Sequence, residues 1–503
     1  MEQIKAYFEK NKENSFQRLD DNTCFDLNID NLFTTIDYTC TPIGQQYLYN
    51  LLRNIPHKSS LEKYESWHSH LENKDTEEFI EKTLLKLEDS DAYRICPLFQ
   101  EEQPTIDNRT TTLYNILQFL PFTSLLLCIL LGSKIFLFLT IVFFITNMAI
   151  HYRNKNKSFL YVRSLPILLK MIKTADKLSQ NKEIRELNTD ISYDINELSE
   201  IKKRLSFFNL EPKLEGDAAI ILWVICEIIK TFFLIEPVSF NRLLIIMQAK
   251  RDSVKRIFEF IGLIDTLQSV HKLRKEYKCC IPVYSDSDSK LDGENVYHPI
   301  VENCIENSFS MNNRSFIVMG SNMSGKTTFT RTIAINVLVA QSLNTCFADK
   351  FTLSKFKLWS SMSINDSLSE GKSYYLAEVL RIKSIISETK NGANLILLDE
   401  LFKGTNTVER IAAAKAVLTY LASNHKNRVI AATHDIELHD LLSKSRFESM
   451  HFSDNIENNK LSFPYLLKHG SPDKRNAIKI LELYNFPQEI VSDAFNTVNI
   501  QVS

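Results

Sequence analysis

The chain has 503 residues, 44% of them apolar and 24% charged. That is enough apolar material for a sizeable core and enough length for about three domains, which excludes a disordered or collagen-like chain. Lys and Arg number 59 against 61 Asp and Glu, a net charge of −2. A globally basic nucleic-acid coat is therefore excluded, whereas a local basic groove is not. Only 11 Gly and 13 Pro argue for long helices rather than a turn-rich all-β protein.

Residues 1–110 read as mostly helical. Gln45–Ile55 carries apolar residues at helical spacing, and Ser59–Glu72 reads as a second amphipathic helix with Ser60 at its start. The N-terminus has no apolar run of the secretory type. The nine cysteines are scattered and form no C-x-x-C, which predicts reduced thiols and no zinc site.

Composition changes sharply at Phe119–Ile150, where Lys134 is the only formal charge. A Gly132-Ser133-Lys134 turn divides this run into two apolar pieces of about 14–17 residues, slightly short for a hydrocarbon core of roughly 30 Å. Leu113–Leu117 and Tyr152 can extend them. The run has no polar face, which favours a transmembrane hairpin over a buried one. Arg109, Arg153, Lys155 and Lys157 flank it, which places both ends in the cytoplasm. Ala218–Ile235 is also apolar, but Glu227 and Lys230 give it a polar edge, so a core helix is expected there. Residues 156–290 read as helical throughout, including a long amphipathic helix over Arg251–Tyr277 with a basic polar face.

From about Lys290 apolar strands alternate with helices, the pattern of a parallel α/β sheet with its sites at the strand C-termini. Ser315–Thr328 reads strand, glycine-rich loop, helix. Within it, Gly320-Ser321-Asn322-Met323-Ser324-Gly325-Lys326-Thr327 fits the phosphate-binding pattern G-x-x-x-x-G-K-[ST], with Thr328 following. Its backbone amides and helix N-terminus suit phosphate oxygens. Lys326 is expected on the β/γ-phosphates, Asn322 on phosphate from the loop, and the Thr327 hydroxyl on Mg²⁺. Asn394–Glu400 is an apolar strand ending in two acids. Asp399 suits the Mg²⁺ shell and Glu400 the attacking water. Arg428–Asp435 is another apolar strand, ending at Thr433-His434. There His434 can meet the γ-phosphate or the water.

Gly320–Thr327, Leu397–Thr407 (LLDELFKGTNT) and Ala431–Leu438 (AATHDIEL) together resemble the ATPase domain of MutS-type DNA mismatch repair proteins. Tyr297–Glu302 looks like the short His-Pro segment that precedes this family's P-loop. Ser367–Val379 is similar to its signature segment, with Ser373 and Glu378 at the fixed Ser and Glu, and Asp21–Pro56 resembles the start of its helical core. The resemblance covers most of the chain and is strongest over 296–440.

It implies a fold of two parts: a helical core and lever domain with the apolar hairpin, followed by an ABC-like P-loop ATPase domain with a mixed sheet (α plus α/β). The expected parts are 1–110 as core, 111–155 as hairpin, 156–290 as core and lever, and 291–503 as ATPase with C-terminal pairing helices at Gly470–Phe495. The resemblance also implies ATP and Mg²⁺ bound between two copies in a homodimer. Ser373 then reaches the γ-phosphate in trans, and Gly404–Thr407 lies along the interface. DNA, mismatched or branched, is the expected partner, together with a membrane at residues 119–150. The ATPase would face the cytoplasm from the inner membrane, or the whole chain would be cytoplasmic. The core-like segment starts near Asp20, so the family's N-terminal Phe-x-Glu wedge and connector are not expected, nor is a C-terminal nuclease module. A rival reading is a nucleotide-switched interaction protein at the membrane with no DNA role. A transporter fits less well, because one hairpin cannot line a pathway.

Overall fold

The computed structural model describes residues 1–11, 15–57, 61–101, 108–199, 201, 228–234, 238, 245–363, 374–442, 445–457, 460–472 and 477–502. The chain forms two compact units that are discontinuous in sequence: Met1–Lys12, Tyr38–Asn50 and Ser66–Ser269 make one, and Glu13–Asp37, Leu51–Glu65 and Val270–Ser503 the other.

The first unit is helical. Tyr7, Phe99 and Phe258 form an aromatic cluster with ring centroids 4.7–6.2 Å apart. Asp265 is fully buried. Its carboxylate accepts from the Cys40 amide at 2.8 Å, the Thr41 amide at 2.9 Å and the Thr41 hydroxyl at 2.6 Å, which fixes the approach to helix Pro42–Arg53. A Cβ on Gly44 would lie 2.1 Å from an Asp265 oxygen, so this helix start has room only for glycine. That helix ends at Arg53, and Asn54–Ile55 is a short strand rather than the last helical residues. The Ser59–Glu72 stretch is likewise not one α-helix: Glu62–Trp67 is a 3₁₀ helix and His68–Leu71 a single α turn, while Ser60 lies outside the described residues. Tryptophan at the junction offers the reason, since the Trp67 indole donates to the Glu183 carbonyl at 3.1 Å and so anchors the chain through a tertiary contact.

The apolar hairpin consists of helix Leu120–Leu131, a reversal at Gly132 with φ of 62°, and helix Lys134–Ser179. Lys134 opens the second helix instead of lying in the turn. Thr112–Leu131 and Lys134–Arg153 are each 20 residues long and apolar enough to cross a membrane, and only 11% and 17% of them is buried. Ile129, Leu130, Ile135 and Phe138 are all at least 65% exposed, so this apolar surface has no cover among the described residues. Three buried polar side chains of the hairpin make hydrogen bonds: the Ser124 and Thr140 hydroxyls bond at 2.9 Å, and the Asn147 amide nitrogen donates to the Leu117 and Phe232 carbonyls. The second helix continues past the hairpin and runs unbroken to Ser179, with Pro166 inside it. Ala218–Ile235, expected as a core helix, lies outside the described residues apart from 228–234.

The second unit is built on a six-stranded mixed sheet. Its strands are β1 (Ser315–Met319), β2 (Lys357–Ser361), β3 (Asn394–Asp399), β4 (Asn427–Thr433), β5 (Phe447–Phe452) and β6 (Leu467–His469), in the order β6-β5-β1-β4-β3-β2. All neighbours pair in parallel except β5 and β6. The apolar runs in β1, β3 and β4 are buried on both faces, as parallel strands require. A four-stranded sheet also forms from Val283–Tyr284, Leu291–Val296, Asn307–Ser310 and Lys350–Leu353. These strands are short and carry Asp, Glu, Lys and Asn, so hydropathy did not announce them.

Residues 13–37 and 51–65 join this unit through polar contacts that no local pattern signals. The Gln17 amide donates to the Leu358 carbonyl and accepts from the Leu358 amide, both at 2.7 Å. It thereby completes the ladder on edge strand β2, which would otherwise offer open backbone groups.

Candidate functional site

β1 delivers the chain into the loop Gly320–Thr327, and helix Lys326–Leu343 carries it away. Gly320 has φ of 145°, and a Cβ there would meet the Phe452 carbonyl at 2.8 Å. Gly325, at φ of 100°, caps the helix, and a Cβ there would lie 3.0 Å from the Tyr465 ring. Both glycines are therefore required by the backbone. The Ser324 hydroxyl donates to the Ser321 carbonyl at 2.7 Å and closes the loop. The buried Lys326 ammonium donates to the Gly320 and Ser321 carbonyls at 2.7 and 2.8 Å, so its charge sits in the cradle. Burial pulls its pKa down to about 8, opposed by nearby Asp399 and assisted by Lys403. Asn322 and Met323 are exposed at the loop tip, and Thr328 is half-buried in the first helical turn.

The acids at the end of β3 converge on this loop. Thr327 Oγ1 donates to Asp399 Oδ2 at 2.7 Å. Asp399 Oδ1 and Ser321 Oγ are buried and, among the described residues, have no hydrogen-bond partner. An unpartnered carboxylate oxygen beside a threonine hydroxyl is a donor set that suits a hard divalent cation, and an unpartnered hydroxyl in the loop suits a phosphate oxygen.

Glu400 has φ of 50°, a left-handed conformation rare for a residue with a side chain, and its amide donates to the Ala432 carbonyl at 2.9 Å. That turn aims its carboxylate at the neighbouring strand end. Glu400 Oε1 lies 3.4 Å from His434 Nδ1, and Oε2 is ion-paired with Lys403. Thus β1, β3 and β4, adjacent in the sheet, bring Lys326, Thr327, Asp399, Glu400 and His434 into one cluster at their C-terminal ends. Ser373 lies outside the described residues.

The family resemblance singles out Glu378, the His-Pro segment and Gly404–Thr407, but how they and Asp435 support this cluster is visible only in the structure. Glu378 is buried on helix Tyr374–Glu388, and its Oε1 accepts from the Phe402 amide at 2.5 Å. Phe402 is itself at φ of 63°, so Glu378 holds a strained turn two residues beyond Glu400. Burial raises the Glu378 pKa, and hydrogen bonds from the Phe402 and Lys403 backbone oppose this. Asp435 pairs with Arg410 at 2.6 Å behind His434. Asn406 caps helix Thr407–Ser423 through the Val408 amide. His298 of the His-Pro segment is buried, which drives its pKa down to about 4, with the Arg331 charge adding to the effect. Spacing alone does not reveal the roles of Glu378 and Asp435, because each acts on a residue 24 or 25 positions away, whereas the Asn406 cap is local.

Comparison with known proteins supplies the relationship. The family model described as MutS domain V matches residues 316–501. The DNA mismatch repair protein MutS of Staphylococcus epidermidis is 30% identical over 247 residues, covering 47% of this chain and 28% of that protein. MutS of Listeria innocua is 29% identical over 256 residues, 48% of this chain and 29% of its own length. MutS of Pseudothermotoga lettingae is 30% identical over 263 residues, 50% and 32% respectively. The chain thus spans less than a third of the length of these relatives. The P-loop, both strand-end acids and His434 all lie inside the matched stretch, so residues 316–501 are similar to MutS domain V and about half of the chain is similar to MutS proteins.

Proposed function

We propose that this protein is a membrane-anchored ATPase that hydrolyses ATP with Mg²⁺ in a homodimer and couples the cycle to its helical part on DNA. The observation that carries the ATPase reading is the contact of Thr327 with Asp399, whose second oxygen is buried and bare, beside the Glu400–His434 pair. In this reading the loop amides from Gly320 to Thr328 and the Lys326 ammonium hold the triphosphate, and Thr327 and Asp399 hold the metal. Mg²⁺, when bound, neutralises charge on the phosphate oxygens. Glu400 orients and deprotonates the attacking water, and His434 fixes the Glu400 carboxylate and donates toward the phosphate. Ser373 of one copy serves the site of the other, which makes turnover depend on pairing. The helices Ala477–Leu483 and Gln488–Val502 would help the copies pair.

The two exposed apolar helices support the anchor, and the flanking Arg and Lys residues support an ATPase on the cytoplasmic side of the inner membrane. The MutS relatives bear the name of DNA mismatch repair, which supports DNA as the partner. A second reading, a nucleotide-switched protein-interaction ATPase at the membrane without DNA, is favoured by the near-neutral charge of −2.

Purified full-length protein in detergent tests both readings. Lys326→Ala should abolish nucleotide binding. Glu400→Gln should keep ATP bound and lower turnover by about 10²-fold or more, trapping a paired species visible by sedimentation. Unchanged turnover in Glu400→Gln removes Glu400 from the chemistry. DNA affinity that falls steeply between low and high salt supports the first reading, and absence of binding at low salt supports the second.

A further inference from the structure

The sheet has a second end, opposite the P-loop. β5, β1 and β4 are adjacent and parallel, so the segments leading into them lie side by side. Each brings a basic residue: Arg446, Arg314 and His425. With Ser289, Asn313 and Asp288 these residues line a cavity of about 620 Å³.

Arg428, the second residue of β4, lies against this cavity and is only 1% exposed. Its guanidinium donates to the carbonyls of His425 at 3.0 Å and Asn427 at 2.8 Å, to Asn313 Oδ1 at 2.9 Å and to the Ser289 hydroxyl. Every one of these acceptors is neutral, and three of the four residues line the cavity. Arg428 Nε is buried with no partner among the described residues. Burial, helped by the nearby Arg446 charge, lowers the Arg428 pKa to about 10. The single acid on the cavity wall, Asp288, is already paired with Lys426 at 3.0 Å. Among the described residues, no carboxylate pairs with Arg314, Arg428 or Arg446.

Hydrogen bonds to neutral groups engage both terminal nitrogens of this guanidinium but leave its charge uncompensated, and such a charge is costly to bury. Here two further guanidiniums add to it. We propose that this cavity binds a small phosphate-class anion at a site separate from the P-loop. Arginine matches tetrahedral oxyanions through paired N–H donors, and the serine and asparagine side chains on the rim can complete the coordination. The five residues of β1 separate the two sites by roughly 15 Å, so one triphosphate cannot occupy both.

The probe is inorganic pyrophosphate, titrated by calorimetry into full-length Lys326→Ala protein in detergent, which removes the P-loop contribution. One saturable, salt-sensitive site is expected. Arg446→Ala and Arg314→Ala, introduced separately into that background, should each weaken it at least tenfold. Both side chains are exposed, so the melting temperature should be retained. Absence of saturable binding to Lys326→Ala overturns the proposal, as does an affinity that neither arginine changes. Arg446-dependent binding of a single-stranded oligonucleotide, with no binding of pyrophosphate, overturns it in favour of a nucleic-acid backbone.

Discussion

Asp26 accepts a hydrogen bond from the Ser360 hydroxyl at 2.6 Å, although 334 residues separate them. The same carboxylate accepts from the amides of Met362 at 3.0 Å and Ser363 at 2.8 Å. Asp26 is almost fully buried, so it acts as a cap for the chain leaving β2, where a strand end would otherwise leave buried donors unmet. Arg381 completes the junction by donating to the Ser360 carbonyl at 2.8 Å and pairing with Asp20 at 3.0 Å.

Replacing Asp26 with Ala strands three donors at once. The expected loss is about 2–4 kcal/mol of stability, since each unmet buried donor costs about 1–3 kcal/mol and the site can relax in part. Asp26→Asn retains an acceptor oxygen and should lose less. Chemical denaturation of the two variants measures the difference. Equal stability of Asp26→Ala and the parent would show that water replaces the carboxylate.

Lys326 sets a pH limit on nucleotide binding. Its pKa falls from an ordinary 10.5 to about 8 on folding. Between these values the unfolded chain binds more protons than the folded one, so stability of the free protein rises with pH across that window. Binding runs the other way, because triphosphate needs the charged ammonium. ATP affinity should be flat up to about pH 8 and then fall, by up to about tenfold per pH unit, with proton uptake on binding. Calorimetry from pH 7 to 9.5 in two buffers of different ionisation enthalpy reads both. Constant affinity to pH 9.5 contradicts the assignment of Lys326.

Glu378 should affect turnover and leave binding intact. Among the described residues it makes no hydrogen bond to the P-loop or the strand-end acids, and it acts on the backbone at Phe402 and Lys403. Glu378→Leu frees that turn and lets Glu400 move. A drop in kcat of roughly 10- to 100-fold is expected, with ATP affinity within about twofold, since small misplacements of a catalytic group have effects of that order. Glu378→Gln keeps an acceptor and should recover most of the loss. If the Leu and Gln variants turned over equally fast, the hydrogen bond would have no positioning role.

The hairpin carries its own test. Leu130 and Phe138 are 70% and 65% exposed. An aspartate within a membrane-spanning helix costs about 2.5–3.5 kcal/mol at its centre and less toward its ends. Leu130→Asp combined with Phe138→Asp should therefore shift the full-length protein from the floating to the soluble fraction in vesicle flotation. Flotation equal to that of the parent would remove the hairpin as the anchor.

Chain-local chemistry was legible from residues alone. The glycines at 320 and 325, the lysine and threonine that follow, the acids ending one apolar strand and the histidine ending another are all consequences of short spacing, and short spacing is what a sequence preserves. The parallel strands at the centre of the sheet and the apolar hairpin belong to the same class, because uninterrupted apolar runs have few other resting places, whereas the antiparallel edge strand was not read from the residues. What the tertiary structure alone decided is how distant polar groups meet. Gln17 closes the edge of β2, Asp26 caps its exit, Glu378 restrains the turn after Glu400, and Arg428 gathers carbonyls beneath a basic cavity. A buried hydrogen bond depends on the position and orientation of both partners. When the partners lie hundreds of residues apart, only the folded backbone brings them within reach.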